Sequence, residues 1–228
     1  MPNYDFIKAN INAILNELPE GVTLLAATKT VPAELINFAA ECGVRVIGEN
    51  RVNELLSKYD AIDKMKLEIH FIGHLQTNKV KYIIDKVSLI HSVDRMGLAE
   101  EISRRAIAKN IVMPVLVEVN IGNEETKSGV APSEALNFVS EISTLKGIKV
   151  SGLMAIPPKY MPGDYTAKKN IAFFEEMRKI FVDIRGKNVD NISMEILSLG
   201  MASDWREAAA NGSTLIRVGE GVFGERSL

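Results

Sequence analysis

Eight short apolar runs alternate with longer amphipathic stretches along this chain, and that alternation constrains the fold more than any single residue does. The runs cover residues 23–28, 44–48, 68–72, 89–93, 114–120, 149–155, 193–199 and 214–218. Each has the length of a buried strand of a parallel sheet. Between them, helical patterns of roughly ten to eighteen residues occupy 33–41, 78–86, 96–110, 133–144 and 168–185. An opening helix over 5–18 gathers Ile7, Ile11, Ile14, Leu15 and Leu18 on one face. Start signals precede several helices, such as Asp94 before Arg95-Met96 and Pro132-Ser133 before Glu134. Eight β-then-α units predict a (β/α)₈ TIM barrel of the α/β class with an extra N-terminal helix. A doubly wound sheet also alternates strands with helices, but the strand count favours the barrel. No Pro/Gly/Ser-rich linker divides the 228 residues, so one domain over 1–228 is expected.

Composition narrows the function. Apolar residues at 46% and charged residues at 25% supply a sizeable core under an ordinary charged surface. A net charge of −2 without a basic block gives no footprint for nucleic acid. The apolar runs are far shorter than a bilayer-spanning helix. Met1-Pro2-Asn3-Tyr4-Asp5 does not begin a secretory signal, and the single Cys42 rules out an internal disulfide. A cytoplasmic protein is therefore expected, with neither membrane nor nucleic-acid partners. The sparse apolar surface favours a monomer.

In a barrel the C-terminal strand ends carry the chemistry, and here they collect polar residues. Lys29 ends the first run, Gly48-Glu49-Asn50 the second and Gly73-His74 the third. Ser92 and Asp94 close the fourth, and Glu118 and Asn120 the fifth. Met154 closes the sixth, Ser198-Leu199-Gly200 the seventh and Arg217-Val218-Gly219 the eighth. Lys29 matters most. At the mouth of a buried strand its ammonium loses hydration, which favours the neutral, nucleophilic amine. A lysine snorkelling to the rim would occupy the same position, but a ring of polar ends around it points to a ligand pocket.

The last two strand ends, where barrels commonly bind phosphate, carry Gly200 with Ala202-Ser203 and Gly219-Glu220-Gly221. Glycines let backbone N–H groups approach phosphate oxygens, and a following helix start adds a favourable dipole. Tight βα turns alone would also use them. Gly219 to Gly224 spell G-x-G-x-x-G, but the sequence after it lacks the helix, strand and acidic residue of a dinucleotide site. Leu215, Arg217 and Gly219 share one face of the last strand, and Ile216 and Val218 the other. Arg217 thus faces the pocket, positioned for a phosphate or a ring nitrogen; a salt bridge with Glu49, Glu118 or Glu220 fits equally. His70 and His74 would lie about 13 Å apart, too far to share a metal ion. His91 reads as a satisfied core residue and Cys42 as a small buried hydrophobe.

A strand-end lysine, a phosphate cradle and a nearby arginine together point to pyridoxal 5′-phosphate (PLP). From about Leu24 to Arg226 the chain closely resembles the pyridoxal phosphate homeostasis family, relatives of the N-terminal barrel of bacterial alanine racemase. The resemblance is carried by Ala27-Thr28-Lys29-Thr30, Gly48-Glu49-Asn50 and the run His70 to Lys79. Lys127-Ser128-Gly129, Ser151 to Ile156, Ser198 to Met201, Arg217-Val218-Gly219 and Phe223-Gly224 continue it. It implies that Lys29 holds the cofactor as a Schiff base and that Arg217 faces the pyridine nitrogen. It further implies phosphate contacts at Ser198, Gly200, Gly219 and Glu220, with Asn50 and Met154 lining the ring. Two positions depart from the family pattern. Ala202 stands where serine is usual, leaving Ser203 or a backbone N–H as the substitute, and Glu220 stands where threonine is common.

The resemblance implies a carrier that binds, buffers and delivers PLP to PLP-requiring apo-enzymes, with effects on vitamin B6 and amino-acid balance. Racemisation needs a base on each face of the cofactor, and the racemase takes one from a second domain that these 228 residues do not contain. The expectation is therefore a non-catalytic PLP carrier. Its rivals are a small PLP-dependent racemase or lyase, and a barrel in which Lys29 binds a sugar phosphate.

Overall fold

Eight parallel strands pair in chain order and close on themselves, the eighth against the first. The computed structural model describes residues 4–124, 126–158, 167–187 and 189–224. The strands are β1 Thr23–Ala27, β2 Val46–Glu49, β3 Glu68–Phe71 and β4 Leu89–Val93, followed by β5 Met113–Val119, β6 Ile148–Ala155, β7 Ile192–Ser198 and β8 Leu215–Val218. Around them run α1 Tyr4–Glu17, α2 Ala33–Glu41, α3 Val52–Lys58, α4 Val80–Ile83 and α5 Met96–Ala108, then α6 Ala135–Ser143, α7 Ala167–Arg185, α8 Trp205–Ala210 and α9 Glu220–Phe223. The (β/α)₈ barrel with an extra N-terminal helix is thus confirmed, and strand bounds differ from the sequence reading by one or two residues. Two helices differ more: 78–86 begins with a 3₁₀ turn, Thr77–Lys79, and its α-helix ends at Ile83, while 133–144 also opens with a 3₁₀ turn, Pro132–Glu134.

Alternation along each strand sorts residues between two layers. Residues such as Ala26, Ile47, Ile69, Ile90, Val117 and Ile216 join the large core between strands and helices. Helix α1 contributes Ile7, Ile11 and Ile14 to that layer. It packs against α2 and α9, and Asn10 Nδ2 donates to the Val222 carbonyl at 3.3 Å. The extra helix therefore covers the flank where β1 and β8 meet.

Inside the barrel, the apolar residues form two small clusters instead of continuous layers. One joins Leu25, Val46, Ile72 and Leu215; the other joins Leu89, Leu116 and Met154. Polar side chains take other interior positions, as the site below requires. Met154 reaches the interior because β6 carries a bulge. Val150 pairs with Val115 but Gly152 pairs with Leu116, so one extra β6 residue reverses the in–out phase. Gly152 is required there. Its φ is 153°, and an added Cβ would lie 1.8 Å from the Ile196 carbonyl oxygen. Gly152→Ala should therefore cost more than about 3 kcal/mol, read as a lower denaturation midpoint with unchanged slope; a loss under about 1 kcal/mol would show that β7 yields easily.

Candidate functional site: the C-terminal mouth of the barrel

Lys29 lies just past β1 in a four-residue turn, Thr28 to Val31, closed by the Val31 N–H donating to the Thr28 carbonyl at 2.9 Å. Thr30, the next residue, has φ 65°, a left-handed conformation that a β-branched residue rarely adopts. Neighbours hold it. The Thr30 N–H donates to Glu54 Oε1, and Lys58, the last residue of α3, reaches under the turn. Lys58 Nζ donates to the carbonyls of Thr28 at 2.7 Å and Val31 at 3.1 Å, which bracket Lys29. It also pairs with Glu49 at 2.8 Å and with Glu54 at 3.3 Å. Glu49 is wholly buried and also accepts from the Thr28 hydroxyl. Burial pushes its carboxyl up, against the opposing pull of Lys58 and Thr28.

This buried ion pair therefore positions the Lys29 turn. Lys58→Met would leave Glu49 buried without its counter-charge, and should cost about 3–5 kcal/mol. Adding Glu49→Leu should restore much of the loss. Chemical denaturation of the two variants checks this, and equal losses in single and double mutants would contradict it.

Arg217 sits across the β1–β8 seam, in register with Leu25. Its side chain points inward as the alternation predicts, and the residue is 5% exposed. One guanidinium nitrogen donates to the Ser198 carbonyl at 2.8 Å and the Ser198 hydroxyl at 2.6 Å. The other donates to the Ala155 carbonyl at 3.0 Å. Burial pushes Arg217 down to about 10, with Glu118 and Asp204 pulling the other way, so it stays charged at neutral pH. Of the three carboxylates suggested for it by sequence, Glu49 belongs to Lys58, whereas Glu118 acts on Arg217 electrostatically.

Glu118 has been pushed up to about 7, chiefly by burial and next by Asp94, with Arg217 lowering it. The folded protein thus binds a proton that the unfolded chain releases near pH 4.3. Between those values stability falls as pH rises, by a few kcal/mol in all, and the penalty is complete above about pH 7. Glu118→Gln should flatten this slope, so its melting temperature should gain on the wild type at pH 8 but not at pH 4. A parallel shift at both would refute the assignment.

The remaining predicted positions surround this centre. Met154 is buried in the interior beside Leu89 and Leu116. Asn50 lines a cavity of about 330 Å³ with Glu118, His74 and Lys127, and its buried Oδ1 has no hydrogen-bond partner. Ser198 is fully buried; its hydroxyl bonds Arg217 and also lies 3.2 Å from His91 Nδ1. Gly200 adopts φ 86° and packs against α8, where a Cβ would come within 2.6 Å of Ala208. Ala202 and Ser203 follow on an exposed turn, braced by the Met201 N–H donating to Asp204 Oδ1 at 2.7 Å. Gly219 precedes α9, and Glu220 opens it, exposed. The structure thus gathers Lys29, Arg217, Asn50, Met154 and both glycine turns at one end of the barrel.

Several contributors escaped the sequence reading. Lys58 and Glu54 gave no signal, because helix charges are usually solvated. His70 and His91 are buried, with Nδ1 of His70 3.0 Å from Nε2 of His91. Their inward phase was legible, since Ile69, Phe71 and Ile90 beside them face the helices. Their contact was not. A second groove of about 550 Å³, lined in part by Arg51, His74, Gln76 and Lys79, adjoins the mouth outside α3.

A barrel of this form, with lysine after its first strand and arginine inside its last, defines a class. The family model described as alanine racemase, N-terminal domain, matches residues 3–227. A pyridoxal phosphate homeostasis protein of Aquifex aeolicus is 46% identical over 203 residues, covering 89% of this chain and 86% of its own length. One of Escherichia coli (strain K12) is 35% identical over 211 residues, covering 91% and 87%. The structure of PipY from Synechococcus elongatus, solved with PLP bound, superimposes with a TM-score of 0.85 at 32% identity, covering 96% of this chain and all of that one. The chain belongs to the pyridoxal phosphate homeostasis protein family.

Proposed function

We propose that this protein binds PLP at the C-terminal mouth, holds it as a Schiff base on Lys29, and serves as a carrier that buffers and delivers the cofactor. The observation that carries this reading is that Lys29 follows the end of β1, the strand paired with β8, which carries the buried Arg217 in register with Leu25. The residues fit the group. The buried, unpartnered Asn50 Oδ1 is a feature that a polar ligand at this mouth would use. The PLP bound in PipY and the shared name of the curated relatives support it.

Lys29 is the residue that would hold PLP covalently, its amine condensing with the aldehyde with loss of one water. Lys58 and Glu49 hold the turn that aims the amine. The turns at Gly200–Ser203 and Gly219–Glu220 offer backbone N–H groups to the phosphate, with the Glu220 carboxylate turned outward. Ser198, whose hydroxyl is bonded to Arg217, contributes by holding that residue. When bound, PLP would supply an electron sink, and the charged Arg217 is the residue that would meet its ring nitrogen and disfavour protonation there. PLP-requiring apo-enzymes are the partners this role implies.

Titration of the purified protein with PLP should raise a visible absorption band that borohydride removes and that Lys29→Ala lacks. No band at any PLP concentration would sink the assignment. Turnover of amino acids that depends on Lys29 would replace the carrier with an enzyme.

A further inference from the structure

A chain of polar side chains runs through the barrel interior, from the mouth that holds Lys29 to the opposite, N-terminal opening. Arg217 donates to the Ser198 hydroxyl at 2.6 Å. That oxygen lies 3.2 Å from His91 Nδ1, and His91 Nε2 lies 3.0 Å from His70 Nδ1. His70 Nε2 faces Glu68 Oε2 at 3.6 Å. Glu68 is the first residue of β3, so its carboxylate stands at the N-terminal end. There it lines a cavity of about 470 Å³ with His70, Lys149 and Glu195.

Chemistry gives this chain a direction. Arginine has no acceptor, so the Ser198 oxygen must present a lone pair to it. The buried His91 is held neutral: burial, then the nearby His70 and Arg217, push its pKa well below the usual value. A neutral imidazole donates from one nitrogen and accepts at the other, so the tautomer of either histidine dictates that of the other. The carboxylate of Glu68 breaks the tie. It favours a proton on His70 Nε2, and His70 in turn holds the Glu68 carboxyl below its ordinary range. His70 Nδ1 is then the acceptor, His91 donates from Nε2, and His91 Nδ1 accepts the Ser198 hydroxyl proton. In the reverse arrangement a bare His70 Nε2 would face a carboxylate.

We propose that Glu68 is a positioning residue for Arg217: from the far end of the barrel it sets both buried histidines as Nε2–H tautomers and thereby turns the Ser198 lone pairs toward the guanidinium. Whatever neutralises Glu68 at the N-terminal cavity, a bound cation or an organic amine, would loosen Arg217 at the other mouth. The consequence for PLP rests on the function proposed above; the tautomer assignment does not.

Ring-nitrogen NMR of the PLP-free protein, above neutral pH, tests it directly. The expected result is Nε2–H on both His70 and His91, with a sharp, slowly exchanging Arg217 guanidinium signal. Glu68→Ala, at a largely exposed position, should shift both histidines toward Nδ1–H and broaden the Arg217 signal. Ser198→Ala should leave the tautomers in place but uncouple Arg217, so that adding Glu68→Ala to it changes the Arg217 signal no further. Nδ1–H on His91 in the wild type overturns the proposal. So do tautomers indifferent to Glu68→Ala, and an Arg217 signal that does not follow them. With PLP present, Glu68→Ala should shift the absorption band, and a band unchanged by it overturns the link to the cofactor end. Failure to form any band would count against PLP binding, while the PLP-free comparison would still decide the role of Glu68.

Discussion

Pairing of the first strand with the last sets the frame in which the functional groups of this barrel lie. Thr23, Leu24, Leu25 and Ala26 align with Leu215, Ile216, Arg217 and Val218, and this ladder closes the sheet. Closure removes the edges that an open sheet would expose. It also sets the end of β1 beside the end of β8, although nearly the whole chain separates them. Closure brings Lys29 to the β8 side that carries Arg217 and Gly219, and the β7–β8 pairing adds the Gly200 turn. Helix α1, packed on α2 and α9, adds apolar cover on the same flank.

A barrel interior filled with branched aliphatic residues would be the cheaper solution. This one contains an arginine, two histidines and a serine, and beside the mouth a buried lysine–glutamate pair. Each of these groups loses hydration on folding and must find partners inside. They do so by sharing: Ser198 serves Arg217 and His91, while Lys58 serves Glu49 and two carbonyls of the Lys29 turn. The same bonds that satisfy buried charge therefore fix the geometry of the mouth. Satisfaction is incomplete at several buried groups, and two of these, Asn50 through its unpartnered Oδ1 and Glu118 with its raised carboxyl, face the cavity that a ligand would enter.

Much of this was legible along the chain. Alternating apolar runs gave the strands and their number, and polar strand ends marked the mouth, because both are local properties of successive residues. The inward face of Arg217 followed from the apolar phase of Ile216 and Val218. Helix 78–86 was read too long because periodicity registers neither its 3₁₀ start nor the turn that ends it after Ile83. Met154 was placed at a strand end, but its turn into the interior depends on a bulge at Gly152 that a single sequence does not announce.

The sequence by itself determined the order of elements, the barrel class, and the candidacy of Lys29 and Arg217, since the periods of hydrophobicity and the chemistry of strand ends are written in adjacent residues. Only the tertiary structure decided which polar groups meet. His70 and His91 are 21 residues apart, and His91 and Ser198 are 107 apart. Their contacts depend on strand register, on the bulges in β4 and β6, and on a closed barrel that points side chains from opposite strands at one axis. Lys58 likewise became part of the Lys29 turn through the packing of α3 under the barrel rim, a relation that no spacing along the chain encodes.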